Sequence, residues 1–115
     1  MSEKELQEAT AELLDTLGLV WFHPANEGRR SVQYAVMLKR AGLKSGVPDV
    51  LIFNPLPGYP WKGIAIELKV GYNKQTQEQI LWQRRLEGEC NWIYFVCRSI
   101  DEVIKVLEKY GLKRR

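Results

Sequence analysis

Apolar residues near the start of the chain recur at helical spacing. The pattern predicts an amphipathic helix over residues 3–17, because leucines three and four positions apart share one face. Ser2 followed by Glu5 has the sequence of a capping box, and Gly18 is a natural helix end. The inward face is expected to hold Glu3, Leu6, Gln7, Thr10, Leu13, Leu14 and Leu17.

Three later segments carry similar helix signals. The predicted helices run from Ser31 through Ala41, from Thr76 to about Gly88, and from Ser99 to Gly111. Thr76 is followed three residues later by Gln79, so the middle one also begins with a capping box.

Short apolar runs between these helices predict four strands, at residues 19–23, 49–53, 64–69 and 91–97. The second and third are joined by a Pro/Gly-rich turn over residues 54–62, so they should pair antiparallel. The fourth arrives through a helical crossover and should pair parallel. We therefore expect one α/β domain over residues 1–115, with a mixed four-stranded sheet flanked by helices.

The third strand places charge where apolar residues are normal. Side chains alternate along a strand, so Glu67 and Lys69 point to one face while Ile66 and Leu68 point to the other. A charge buried in such a strand costs several kcal/mol unless it is paired or binds a metal. With Asp49 opening the preceding strand, the pattern suits Mg²⁺ or Mn²⁺ bound beside a phosphate.

These residues resemble the PD-(D/E)XK nuclease signature, with Pro48-Asp49 and Glu67-Leu68-Lys69 in the two motif positions. Their surroundings resemble the VRR-NUC family of virus-type replication-repair nucleases, from about Glu3 to about Asp101. The matching segments are Asn26-Glu27-Gly28-Arg29-Arg30-Ser31, residues 42–49, Glu67-Leu68-Lys69, Thr76 and Gln79. The resemblance implies a restriction-endonuclease-like αβββαβ core with one helix inserted after the first strand.

The resemblance also implies a metal site and catalytic residues. Asp49, Glu67 and the Leu68 carbonyl would bind Mg²⁺ or Mn²⁺, and Glu3 is a candidate for a further ligand. Lys69 would position water or offset negative charge, and Gln79 would face the pocket. Two alternatives remain at this stage: Glu3 as an exposed acid favourable at a helix N-terminus, and Gln79 as a cap alone.

Basic and polar residues around this site predict contacts with DNA phosphates. The expected DNA-binding residues are Asn26, Arg29, Arg30, Lys44 and Lys74, and a solvated charged loop is the alternative for the arginines. Gly46 and Pro48 are expected to shape the pocket, because glycine permits close approach and proline stiffens the entry to Asp49.

Charge, cysteine spacing and the length of apolar runs each bear on the class of protein. The chain has 115 residues, 17 basic against 14 acidic, and a formal charge of +3, which is weak support for a polyanionic partner. Cys90 and Cys97 lack metal-ligand spacing and are expected to be reduced thiols. Without an apolar run of about 20 residues, we expect no membrane contact and a cytoplasmic location, in bacteria or phage-infected cells.

The family resemblance implies a metal-dependent, structure-selective DNA endonuclease that resolves four-way (Holliday) junctions as a homodimer. Alternatives are a flap, branched-DNA or non-specific nuclease, a non-catalytic DNA-binding module, and an unrelated α/β protein in which Glu67 and Lys69 form a partly buried pair. No sequence feature suggests readout of base edges.

Overall fold

A computed structural model describes residues 1–24 and 31–113 of the chain. These residues form four helices and four strands. In chain order they are α1 (Glu3–Thr16), β1 (Trp21–Phe22), α2 (Val32–Arg40), β2 (Val50–Ile52), β3 (Ile64–Leu68), α3 (Gln77–Glu89), β4 (Ile93–Cys97) and α4 (Ile100–Lys109). No helix among them is long and apolar enough to cross a membrane.

The strands form one sheet in the order β1-β2-β3-β4. The first two pairings are antiparallel and the third is parallel, which confirms the predicted mixed sheet. Strand β3 lies between β2 and β4, and all five of its residues are buried. The central position explains why β3 is apolar on both faces.

The core lies on one face of the sheet. Side chains from alternate positions of β2, β3 and β4 pack there against α1 and α4. Buried members of this core are Leu6, Leu14, Val50, Ile52, Leu56, Ile64, Ile66, Leu68, Cys97, Val103, Val106, Leu107, Tyr110 and Leu112. Since Ile66 and Leu68 take this face, the side chains of Ala65 and Glu67 occupy the opposite one.

Helix α2 forms as its Ser31 cap predicts, but it contributes little to this core. The Ser31 hydroxyl accepts a hydrogen bond from the Tyr34 amide at 3.1 Å. Val32 is 81% exposed and Met37 is 52% exposed, and α2, all of which is described, has no buried residue. The structural core is therefore built from the sheet with α1 and α4.

Both predicted capping boxes are present. At α1, the Ser2 hydroxyl accepts from the Glu5 amide, and the Glu5 carboxylate accepts from the Ser2 amide. Helix α3 ends at Glu89, one residue beyond the predicted end near Gly88. The left-handed residue after the helix is Asn91, with φ at 57°, a conformation that asparagine tolerates better than most residues.

Strand β1 is shorter than the predicted 19–23. The Asn54 side chain accepts a hydrogen bond from the Val20 amide at 2.6 Å, which replaces a strand-to-strand bond at that position. The Val20 carbonyl still accepts from the Phe53 amide at 2.8 Å. The pairing of β1 with β2 therefore ends on a side-chain hydrogen bond.

Candidate active site

The sheet register brings Asp49 and Glu67 together. Val50, the first residue of β2, pairs with Ile66 in an antiparallel ladder, and Asp49 directly precedes Val50 just as Glu67 directly follows Ile66. Both carboxylates act electrostatically on the Tyr94 hydroxyl. Asp49 Oδ2 accepts a hydrogen bond from the Leu68 amide at 2.6 Å, which fixes this carboxylate against β3.

Glu67 is fully buried, and its two carboxylate oxygens differ. Oε1 accepts hydrogen bonds from the Tyr94 hydroxyl at 2.6 Å and from Gln75 Nε2 at 3.0 Å. Oε2 is buried and makes no hydrogen bond to any described residue. A buried acceptor without a hydrogen bond destabilises the folded state by about 1–3 kcal/mol, and by more when it is charged. A cation bound at Oε2 would offset this cost.

Lys69 lies on the same face as Glu67, two residues later, and is 7% exposed. Its Nζ is 3.8 Å from Glu67 Oε2, long for a hydrogen bond but close enough for electrostatic attraction. Its amide donates to the Cys97 carbonyl at 3.0 Å, which holds the backbone against β4. The ammonium is thus directed toward the Glu67 carboxylate rather than into solvent.

The surroundings of Tyr94 raise the pKa of its hydroxyl. Burial is the main factor that raises the pKa of its hydroxyl, and the bond to Glu67 and the charges of Glu67 and Asp49 raise it further. A side-chain hydrogen bond with Gln75 acts in the opposite direction. Tyr94 therefore stays protonated and remains a hydrogen-bond donor to Glu67.

Three residues around Glu67 carry no clear signal in the sequence. They are Gln75 in the loop before α3, Gln83 on α3 and Tyr94 on β4. Tyr94 pairs with Ala65 and so shares the face of Glu67, but this depends on the β3–β4 register, which sequence alone did not supply. The available signal was a tyrosine hydroxyl in an apolar strand, which needs a polar partner.

A cavity of about 430 Å³ opens beside Asp49 and is lined by Glu3, Lys4, Gln7, Glu8 and Asp49. Glu3 was expected to point inward, but its side chain is exposed, because it lies in the first turn of α1 at the mouth of this cavity. Among residues 1–24 and 31–113, no three Asp, Glu, His or Cys side chains are grouped closely enough to hold a metal ion. The carboxylates that the register brings together are Asp49 and Glu67.

Gly46 lies against the first turn of α3, and Pro48 directly precedes Asp49. Gly46 has φ at +80°, and a Cβ there would lie 2.5 Å from Glu78 Cβ and 2.9 Å from the Gln79 amide nitrogen. Pro48 is fully buried. At the other side of the entry, His23 Nδ1 lies 2.6 Å from the Asp49 carbonyl oxygen and donates to it. The backbone that presents Asp49 is therefore held from two sides.

Gln79 has the capping role that the sequence predicts. Its Oε1 accepts from the Thr76 amide at 2.8 Å, and its side chain is half-buried. Lys44 and Lys74 are exposed, and Lys44 borders a groove with Ser45, Glu78, Leu81, Trp82 and Arg85. The other expected DNA-binding residues, Asn26, Arg29 and Arg30, lie outside the described residues.

The chain is similar in structure to a solved VRR_NUC domain protein. The two share 26% sequence identity, with a TM-score of 0.75, over 99% of this chain and 92% of the other. No protein-family model and no curated protein matches the chain. The structural similarity confirms the expected fold and indicates a nuclease-type domain.

Proposed function

We propose that this protein is a metal-dependent, structure-selective DNA endonuclease that resolves four-way (Holliday) junctions as a homodimer. The observation that supports catalysis best is the buried Glu67, whose Oε2 makes no hydrogen bond within the described chain and lies beside Lys69. The similarity to a VRR_NUC domain protein supports the nuclease class.

The donor set fits a hard divalent cation. Mg²⁺ and Mn²⁺ prefer carboxylate, carbonyl and water oxygens, and Mg²⁺ usually keeps several waters. Asp49 and Glu67 would hold the ion with the Leu68 carbonyl, and Glu3 would reach it across the cavity that it shares with Asp49. Two carboxylates with water are sufficient for such a site, so a third acidic side chain in direct contact is not required.

The reaction is hydrolysis of a phosphodiester. Water oxygen forms a bond to phosphorus and loses a proton while the bond to the 3′ oxygen breaks, and the leaving oxygen takes up a proton, so the products are a 5′ phosphate and a 3′ hydroxyl. When bound, the cation polarises the scissile phosphate, makes a neighbouring water more acidic and stabilises the leaving oxygen. Lys69 donates hydrogen bonds that position the attacking water or offset the charge that develops on the phosphate.

DNA would cross the open side of the site. Lys44 and Lys74 are exposed cations on segments that adjoin it, and Asn26, Arg29 and Arg30 complete the proposed phosphate contacts. Gln79, at the first turn of α3, would face the same pocket while it caps the helix. Gly46 and Pro48 would shape this pocket without taking part in the chemistry.

Asp49→Asn tests the catalytic proposal. The substitution keeps the volume but removes the charge, so cleavage should fall by at least about 100-fold while DNA binding persists. Cleavage of junction, flap, duplex and single-stranded DNA would be measured at matched salt, with Mg²⁺, Mn²⁺ or a chelator. Glu12→Gln, an exposed acid on α1, is the control and should cleave like the parent.

The cleavage and binding results distinguish the proposed function from its alternatives. Preferred, metal-dependent cutting of the four-way junction by the parent supports the full proposal, whereas equal cutting of all duplex substrates reduces it to a non-specific nuclease. Cleavage by Asp49→Asn at the parent rate would refute the assigned site. Junction binding with no cleavage under any metal would show a non-catalytic DNA-binding module.

A further inference from the structure

The hydrogen bonds to Glu67 are arranged unevenly. Both donors, the Tyr94 hydroxyl and the Gln75 amide nitrogen, bind Oε1. They come from different parts of the fold, since Tyr94 is on β4 and Gln75 lies in the loop before α3. A carboxylate held by two donors on one oxygen cannot rotate without breaking both bonds, so the direction of Oε2 is fixed as well.

Gln75 is itself held in one orientation. Its Nε2 donates to Glu67 Oε1 at 3.0 Å and to Gln83 Oε1 at 2.9 Å, and these two bonds use both amide hydrogens. Rotating the amide by 180° would place its oxygen against two acceptors. Gln83 therefore ties the orientation of the Gln75 donor to α3.

We propose that Tyr94 and Gln75, supported by Gln83, are positioning residues that make Glu67 a one-oxygen metal ligand acting through Oε2. The inference rests on the proposed function, because it concerns how that site receives its cation. Donors that served only to satisfy a buried carboxylate would be distributed over both oxygens, whereas here one oxygen has two donors and the other none among the described residues. Outer hydrogen-bond partners of this kind orient metal ligands in many sites.

Tyr94→Phe removes the shorter bond and keeps the ring. The expected result is a loss of Mn²⁺ affinity of about 10- to 100-fold, because Glu67 gains rotational freedom. Affinity would be measured by calorimetric titration and by the Mn²⁺-induced rise in melting temperature. The rate of DNA cleavage would be followed against Mn²⁺ concentration, and high Mn²⁺ should restore most of the maximal rate.

Gln75→Met provides a second variant, since it keeps the side-chain length and removes the donor from a loop residue that is only half-buried. It should weaken Mn²⁺ binding in the same direction. Tyr110→Phe is the matched control, because Tyr110 is a buried tyrosine packed against Tyr59 and Phe95. Its Mn²⁺ affinity should equal that of the parent.

The outcomes separate the two proposals. If Tyr94→Phe and Gln75→Met bind Mn²⁺ as the parent does, the positioning role is wrong while the nuclease assignment stands. A melting temperature lowered equally with and without Mn²⁺ also overturns it, since that result shows a structural role alone. If the parent neither binds Mn²⁺ nor cleaves DNA, the proposed function fails and this inference with it.

Discussion

Glu67 lies in a fully buried strand, and Lys69 directly follows that strand on the same face. The sequence indicated this pair because two ionisable residues interrupt an apolar run at a spacing of two. The identity of their neighbours was not predictable in the same way. Tyr94 reaches Glu67 from 27 residues away through the register of β3 with β4. Gln75 reaches it from 8 residues away through the path of the loop before α3, which no local pattern specifies.

Lys69→Met tests the charge at this position while keeping most of the aliphatic volume. We expect cleavage to fall by about 100-fold or more, since the developing negative charge loses its cation. Without metal, the variant should also be less stable by up to about 3–5 kcal/mol, because Glu67 loses its compensating charge. Mn²⁺ should therefore raise its melting temperature by more than it raises that of the parent.

Lys62→Met, at an exposed lysine, controls for the loss of one positive charge and should match the parent in both measurements. Chemical denaturation with and without Mn²⁺ gives the stabilities. A Lys69→Met protein that was as stable and as active as the parent would show that the ammonium neither balances Glu67 nor assists cleavage.

The two cysteines should differ in reactivity. Burial, with a smaller contribution from Glu102, raises the pKa of Cys97 to about 12, whereas Cys90 is exposed. The thiolate is the reactive form, so a thiol reagent at pH 8 should label Cys90 in the folded protein and Cys97 only after unfolding. Mass spectrometry of the labelled protein measures this, and native Cys90→Ser should remain unlabelled.

The raised pKa of Cys97 also makes the free energy of unfolding depend on pH. A raised pKa in the folded state means that Cys97 favours folding below the pKa of an unfolded thiol, about 8.5. This contribution should decline as pH rises from there toward 12. Rapid labelling of Cys97 in the native protein at pH 8 would contradict the assigned burial.

At the scale of elements, the caps and the approximate helix ends were predictable, but the left-handed residue that follows α3 was not. Ser2 with Glu5 and Thr76 with Gln79 form their capping boxes because the required side chains lie within one turn. Helix α3 ends at Glu89, within one residue of the predicted end, but the left-handed residue that follows it is Asn91 and Gly88 is helical. Local sequence marks residues that permit a helix end, whereas packing against the next strand selects the one that is used.

Gly46 joins two elements, and Gly46→Ala should be more damaging than a comparable change elsewhere. Any side chain at φ +80° is strained by about 1–2 kcal/mol. Here the new Cβ would also collide with Glu78 and with the backbone of Gln79. The segment before Asp49 must then move away from α3, so both stability and cleavage should fall.

Gly58→Ala separates strain from collision. Gly58 has φ at +85°, and an added Cβ would meet no atom within 4 Å, so only the backbone strain is shared. Denaturant unfolding should show a larger loss for Gly46→Ala, and the activity loss should be confined to that variant. Equal losses in the two proteins would mean that the contact between Gly46 and α3 does not position the site.

At the scale of the whole molecule, fold class and mixed pairing followed from the order of elements, because a short turn forces antiparallel strands and a helical crossover permits parallel ones. The place of β1 beside β2 did not follow, since α2 separates these strands in the chain. The order of elements also does not determine how many chains act together. One chain brings Asp49, Glu67 and Lys69 together once within its described residues. Paired incisions at a two-fold symmetric junction require two such sites in one particle.

A plasmid carrying an extruded cruciform distinguishes one active site from two. A homodimer should cut both strands within one binding event, so linear product appears early and little nicked circle accumulates. When parent and Asp49→Asn proteins are mixed in equal amounts and allowed to exchange subunits, dimers with one functional site should form, and nicked circle should increase. Gel analysis of the time course measures both products. A monomeric enzyme would instead produce nicked circle first in every reaction, and adding Asp49→Asn would slow that reaction without changing the order of products.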